Sequence, residues 1–205
     1  MTNGSDSGRW RADGKFFQAG TQRVWMKAVS YGPFPGGWPG SFAPDFSGIS
    51  AAGFNAIRIY EMPSKNLLDK AAEYGLKVFG GLQWGQTADF LRSPGLYSAA
   101  KVSLTNSLAE VGNHPAFAGV YVGNEIPKDL VRWMGALKVR QAIEGLIDLG
   151  KQIAPHLLLP TATSRALSIW SQKTLILPRL MSTWKMRMLS AVISSGCITS
   201  REIVR

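Results

Sequence analysis

The stretch AFAGVYVGNEIP, residues 116–127, decides how the rest of the chain is read. An unbroken run of apolar residues and glycine suits a strand buried on both faces, as in a parallel sheet, and it ends on Asn124 and Glu125. Parallel α/β folds keep their chemistry at the carboxyl ends of the strands, so Glu125 is the leading catalytic candidate. The competing reading is a polar pair that only caps the following helix.

Outward from this run the chain alternates. RWRADGKFFQAGTQRVWMKAVSYG, from Arg9, opens with a hairpin around Ala12, Asp13 and Gly14 and leads into an apolar strand near Val24 to Ser30. The Gly/Pro-rich PFPGGWPGSFAP then reads as a surface loop over a cleft. Helices are expected at 45–52, 67–74, 98–111 and 129–153, and further strands at 54–60 and 76–84, with Gly75 and Pro155 as stop signals. Strand-helix units at this spacing predict an α/β fold with a parallel sheet and outer helices, as a (β/α) barrel or a doubly wound sheet. A nucleotide-binding version is disfavoured, because no Gly-rich phosphate loop joins the first strand to its helix.

Composition narrows the function classes. With 205 residues, 45% hydrophobic and 18% charged, the chain suits one globular domain. No apolar stretch approaches a spanning helix, and the N-terminus lacks an apolar signal core, so a membrane segment and export are not expected and a cytoplasmic location is the default. One cysteine, Cys197, and two histidines, His114 and His156, argue against a disulfide, a zinc site or any metal cofactor. The formal net charge of +10 raises the question of nucleic acid, and its distribution disfavours that partner. Residues 1–164 carry 16 Lys+Arg against 12 Asp+Glu, whereas residues 165–205 carry 7 against 1. The oligomeric state is not legible.

Three stretches carry a resemblance: GFNAIRIYEMPS (53–64), GLKVFGGLQW (75–84) and NHPAFAGVYVGNEIP (113–127). In this order and spacing they resemble the second, third and fourth strands of clan A glycoside hydrolases, the TIM-barrel group that includes families 2 and 5. The opening DGKFFQAGTQRVWMKAVSYGPF is similar to the hairpin and first strand of family 2-like catalytic domains, so the resemblance covers about residues 9–155. It implies a partial (β/α)8 TIM barrel of about the first four strand-helix units, a carbohydrate substrate and no cofactor.

On the matching positions the resemblance implies that Glu125 is the general acid/base, protonating the glycosidic oxygen and later activating water, a role that needs a carboxyl pKa raised by burial. Asn124 would hydrogen-bond the sugar 2-hydroxyl. Arg58 would hold the partner carboxylate ionised; its alternative is a structural ion pair. Trp84, Tyr31, Tyr60 and Trp38 offer flat faces for sugar rings, although each is singly more often core than platform. Glu61 reads as a solvated or helix-capping rim carboxylate, and His114 as a residue that fixes a loop.

The chain also departs from that pattern. A retaining glycosidase needs two carboxylates about 5 to 5.5 Å apart, the nucleophile being a Glu at the end of the seventh strand in clan A. Here only four strands are apparent, and Glu202 is the sole carboxylate side chain after Pro155. Residues 165–205 lose the strand-helix rhythm and gain scattered Met, Ser and Arg, as a misread coding frame would; a shifted frame compatible with 160–170 and 188–205 yields family-like strings. The expectation is therefore a barrel half over 1–164 and a non-native basic tail over 165–205. The inherited activity would be hydrolysis of O-glycosidic bonds, on a β-linked glycan, by a retaining two-carboxylate mechanism, inactive as truncated. The alternative is a non-catalytic carbohydrate-binding relic.

Overall fold

A computed structural model of the chain describes residues 8–14 and 16–162. The tail at 165–205, and with it the reading of that segment as a misread frame, lies outside the described residues.

The chain opens with an antiparallel meander of β1 (Trp10–Asp13), β2 (Phe16–Ala19) and β3 (Gln22–Val24). Asp13 pairs with Phe16 and Ala19 with Gln22, so both turns have two central residues, with Gly14 (φ 59°) and Gly20 (φ 58°) taking the left-handed conformation such turns require. The expected single strand at 24–30 is divided between two sheets. Val24 closes the meander opposite Phe17, and β4 (Ala28–Ser30) begins a new sheet. Asn55 fixes the corner between them: its Oδ1 accepts from the Lys27 N–H at 2.8 Å and its Nδ2 donates to the Trp25 carbonyl at 2.8 Å.

The second sheet is parallel, in the order β4, β5 (Ala56–Arg58), β6 (Lys77–Gly81), β7 (Phe117–Tyr121). Between its strands lie α1 (Ala43–Ala51), α2 (Lys65–Glu73) and α3 (Pro94–Val111), and α4 (Lys128–Met134) and α5 (Ala136–Ile153) follow β7. Ser64 caps α2 by accepting from the Leu67 N–H at 3.3 Å, and Gly75 (φ 68°) follows its end. The helix expected over 129–153 is two helices, because Gly135 adopts φ 89°, ψ 119° and ends α4 before α5 starts.

A fifth strand position stands where four were expected. After α5 the chain returns beside β7: Leu158 N–H donates to Ala118 O at 3.0 Å, Val120 N–H to Leu158 O at 2.8 Å, and Val122 N–H to Pro160 O at 3.1 Å. β8 (Gly123–Asn124) then pairs parallel with β9 (Thr161–Ala162). Pro160 and the shortness of the run concealed this strand; proline is tolerated there because its carbonyl, not its missing N–H, joins the ladder. The described sheet is not closed: β4 and the 158–162 segment are its two edges.

Strand alternation sorts the side chains onto two faces. Val29, Ile57, Val78 and Val120 point into the larger core with Phe46 and Ile49 of α1, Leu67 and Leu68 of α2, Leu104 of α3 and Ile143 of α5. Ala56, Phe79, Ala118 and Tyr121 point the other way, where Trp10 and Phe17 of the meander cover them. Among the described residues the helices therefore pack on one face of the parallel sheet and the meander covers the other. Each fully buried Ile, Leu or Phe on the helical face contributes about 1.5–3 kcal/mol.

Candidate functional site

All strands of the second sheet run the same way, so the residues that follow β4, β5, β6 and β7 gather at one edge. Arg58 ends β5 on the face opposite Ile57, and its guanidinium lies between two tyrosine rings, 4.1 Å from the Tyr121 centroid and 4.8 Å from that of Tyr60. This double stacking suits a planar, permanently charged group. Arg58 Nη2 donates to Asn124 Oδ1 at 2.5 Å, and the buried Nε has no hydrogen-bond partner among the described residues. Burial raises the Tyr121 phenol pKa, and the Arg58 charge partly opposes that.

The loop after β6 fixes the backbone on which Asn124 and Glu125 stand. Trp84 Nε1 donates to the Val122 carbonyl at 3.0 Å, and the Asn124 N–H donates to Gln86 Oε1 at 2.8 Å. Asn124 is thus held from two sides, its side chain by Arg58 and its main chain by Gln86. Glu125 then turns into the left-handed region at φ 48°, the non-glycine residue to do so among those described. That conformation costs a non-glycine residue about 1–2 kcal/mol, and its presence immediately after the clamped Asn124 is the kind of local strain that gathers at working sites.

The candidates from sequence do not all meet here. Arg58, Asn124, Glu125, Trp84 and Tyr60 share the edge; Tyr60 is 38% exposed, with its hydroxyl 3.4 Å from Ser30 Oγ. Tyr31 is 1% exposed, so its ring is core rather than an open sugar platform. Its hydroxyl donates to Asp45 Oδ2 at 2.7 Å, and burial first, then Asp45, raises its pKa far above the ordinary phenol range. Trp38 likewise packs into the aromatic cluster around Tyr31, and its Nε1 donates to Glu61 Oε1 at 2.6 Å. Glu61 is therefore a strut between two loops, not a solvated or helix-capping group. It faces a separate cleft of about 400 Å³ whose lining omits Arg58, Asn124 and Glu125. Glu125 itself is exposed, so the described residues do not supply the burial that an acid/base carboxyl needs.

His114 fixes a loop: the Ala116 N–H donates to its Nδ1 at 3.2 Å, which leaves Nε2 to donate to Asp69 Oδ1 at 3.0 Å. Two site residues were missed from sequence. Tyr121 stands inside the apolar run that leads to Glu125, where a strand buried on both faces predicts nothing beyond a core position. Gln86 carries no sequence signal, because its partner lies 38 residues away.

No family model matches the sequence, and no curated protein is similar enough to count as a match. Solved structures do resemble the fold. Beta-glucuronidase of Parabacteroides merdae superposes with a TM-score of 0.63 at 18% identity, over 78% of this chain and 21% of that one. Beta-glucuronidase 3 of Bacteroides uniformis gives 0.60 at 21% identity, over 77% and 21%. The endo-1,4-beta-mannanase of Rhizomucor miehei gives 0.60 at 12% identity, over 75% and 60%. The likeness is one of fold, and the chain spans about a fifth of the glucuronidases' length. Among the described residues no helix is long and apolar enough to cross a membrane.

Proposed function

We propose that this chain carries the acid/base half of a retaining glycoside-hydrolase site for a β-linked glycan. The observation that carries the reading is the Arg58–Asn124 hydrogen bond at the carboxyl edge of the parallel sheet, with Glu125 next in the chain. Glycoside hydrolases among the fold neighbours support it.

In this reading Glu125 protonates the leaving oxygen and then deprotonates the attacking water, steps that contribute about 10² to 10⁴-fold. Asn124, with Oδ1 engaged by Arg58, keeps its side-chain N–H₂ for a sugar hydroxyl. Arg58 offers positive charge to the partner carboxylate, and Tyr60 and Trp84 border the sugar. The nucleophile is assigned to none of the described carboxylates, since Glu61 is engaged by Trp38. On this reading the nucleophile is a carboxylate outside the described residues, and the 205-residue chain by itself is expected not to turn over glycosides.

A cationic iminosugar, which imitates the charge of the oxocarbenium-like transition state, tests the site without requiring turnover. Glu125→Gln should weaken iminosugar binding about tenfold while neutral monosaccharide affinity changes by less than about twofold. Equal affinities of both ligands for both proteins would favour the carbohydrate-binding relic instead.

A further inference from the structure

Trp133 is large, apolar and 66% exposed, yet its ring is held in place. Its Nε1 donates to Asp89 Oδ2 at 3.0 Å, and the Arg92 guanidinium lies over the ring at 5.1 Å from its centroid. Asp89 is itself fixed, its Oδ1 accepting from the Arg92 N–H at 3.2 Å. The indole therefore has one face under a cation, its edge pinned by a carboxylate and its remaining surface open to water.

Burial does not explain such an arrangement, because a ring two-thirds exposed gains little from the core. Position supplies an explanation. Trp133 stands on α4, the helix that follows Glu125, and Asp89 and Arg92 stand on the loop whose Trp84 and Gln86 hold the Asn124 corner. One loop thus braces both the candidate site and the exposed ring, at the same edge of the sheet. We propose that Trp133, flanked by Asp89 and Arg92, is a sugar-stacking platform for a glycan chain that extends beyond the residues bound at Glu125. This proposal rests on the glycoside-hydrolase reading and deepens it: the substrate is an oligo- or polysaccharide rather than a small glycoside.

The chemistry fits a sugar. The C–H face of a pyranose lies flat on the indole face that Arg92 leaves open, while the Asp89 carboxylate at the ring's edge keeps lone pairs to accept from a sugar hydroxyl. Because the ring is already held, little rotamer freedom is lost on binding. Trp25, 73% exposed at the opposite, amino-terminal side of the sheet and set edge-on to Phe16, makes no such hydrogen bond or cation contact among the described residues and serves as the control.

The test is titration of the 205-residue chain with β-linked gluco-, manno- and xylo-hexaoses and the matching disaccharides, followed by intrinsic tryptophan fluorescence and calorimetry. At least one hexaose should bind more tightly than its disaccharide. Trp133→Ala should weaken that hexaose about tenfold with the disaccharide unchanged; Trp133→Phe should retain most of the affinity, and Trp25→Ala all of it. Circular dichroism and thermal unfolding matching the parent would exclude misfolding as the cause. No hexaose binding by the parent, equal loss in Trp25→Ala, or loss of self-association in Trp133→Ala with glycan affinity intact would overturn the proposal. Hexaose binding that depends on Trp133, together with iminosugar affinity indifferent to Glu125→Gln, would uphold the platform while removing the catalytic reading.

Discussion

Arg58 and Asn124, 66 residues apart in the chain, meet through a 2.5 Å hydrogen bond at the carboxyl edge of the parallel sheet. The bond joins the end of the second parallel strand to β8, just beyond the fourth, and Glu125 is positioned by whatever positions Asn124. The flanking rings of Tyr60 and Tyr121 hold the guanidinium for that contact.

Arg58→Lys keeps the charge but loses the planar stack and the directed hydrogen bond. It should destabilise the fold by about 1–3 kcal/mol in denaturant unfolding. A midpoint equal to that of the parent would mean that the stacking is incidental.

Gln86→Leu removes the acceptor for the Asn124 N–H while keeping a side chain of similar size. An unsatisfied backbone donor costs about 1–3 kcal/mol, and hydrogen exchange at Asn124 should speed up more than at the core strands. Unchanged exchange at that amide would show that Gln86 does not hold the corner.

Glu125→Gly should leave stability unchanged or raise it by up to about 1 kcal/mol, because glycine takes φ 48° without strain. Glu125→Val should lower it, β-branching being least compatible with that conformation. Thermal unfolding of the two variants side by side checks the order; the reverse order would contradict the strained corner.

The tyrosines set the alkaline limit. Burial raises the pKa of Tyr31 above the ordinary phenol value of 10.0, and Tyr97 and Tyr121 are shifted the same way. A raised folded pKa means that the unfolded chain releases protons first, so this stability is full below about pH 10 and is lost as pH rises beyond it. Burial lowers the pKa of Lys77 and Lys151, which act oppositely by adding stability as pH rises toward their unfolded value of 10.5. Unfolding free energy measured from pH 9 to about 12 should therefore fall steeply above about 10, and Tyr31→Phe should flatten the slope.

What the sequence disclosed and concealed has physical causes. The strands around Ile57, Val78 and Val120 announce themselves because both their faces are buried, and parallel strands necessarily bring Arg58 and Glu125 to one edge. The break at Gly135 was hidden inside an otherwise helical stretch, since a lone glycine is tolerated in helices. The fifth strand at 158–162 was masked by Pro160. The partition of VWMKAVS between two sheets depends on Asn55, which is distant in sequence. Burial of Tyr31, the strut role of Glu61 and the clamp by Gln86 are all products of tertiary packing, which no local pattern records.

Chemical rescue decides whether Glu125 is an acid/base carboxyl in a site whose nucleophile lies outside the described residues. Formate or azide, small anions able to take the place of a missing carboxylate nucleophile, are added to the 205-residue chain with an aryl β-glycoside whose leaving group needs protonation. No turnover is expected without the anion, with turnover rising with anion concentration and that rescue falling by about 10² to 10⁴-fold in Glu125→Gln. Turnover without any anion and retained in Glu125→Gln, or no rescue at any anion concentration, would contradict that role for Glu125.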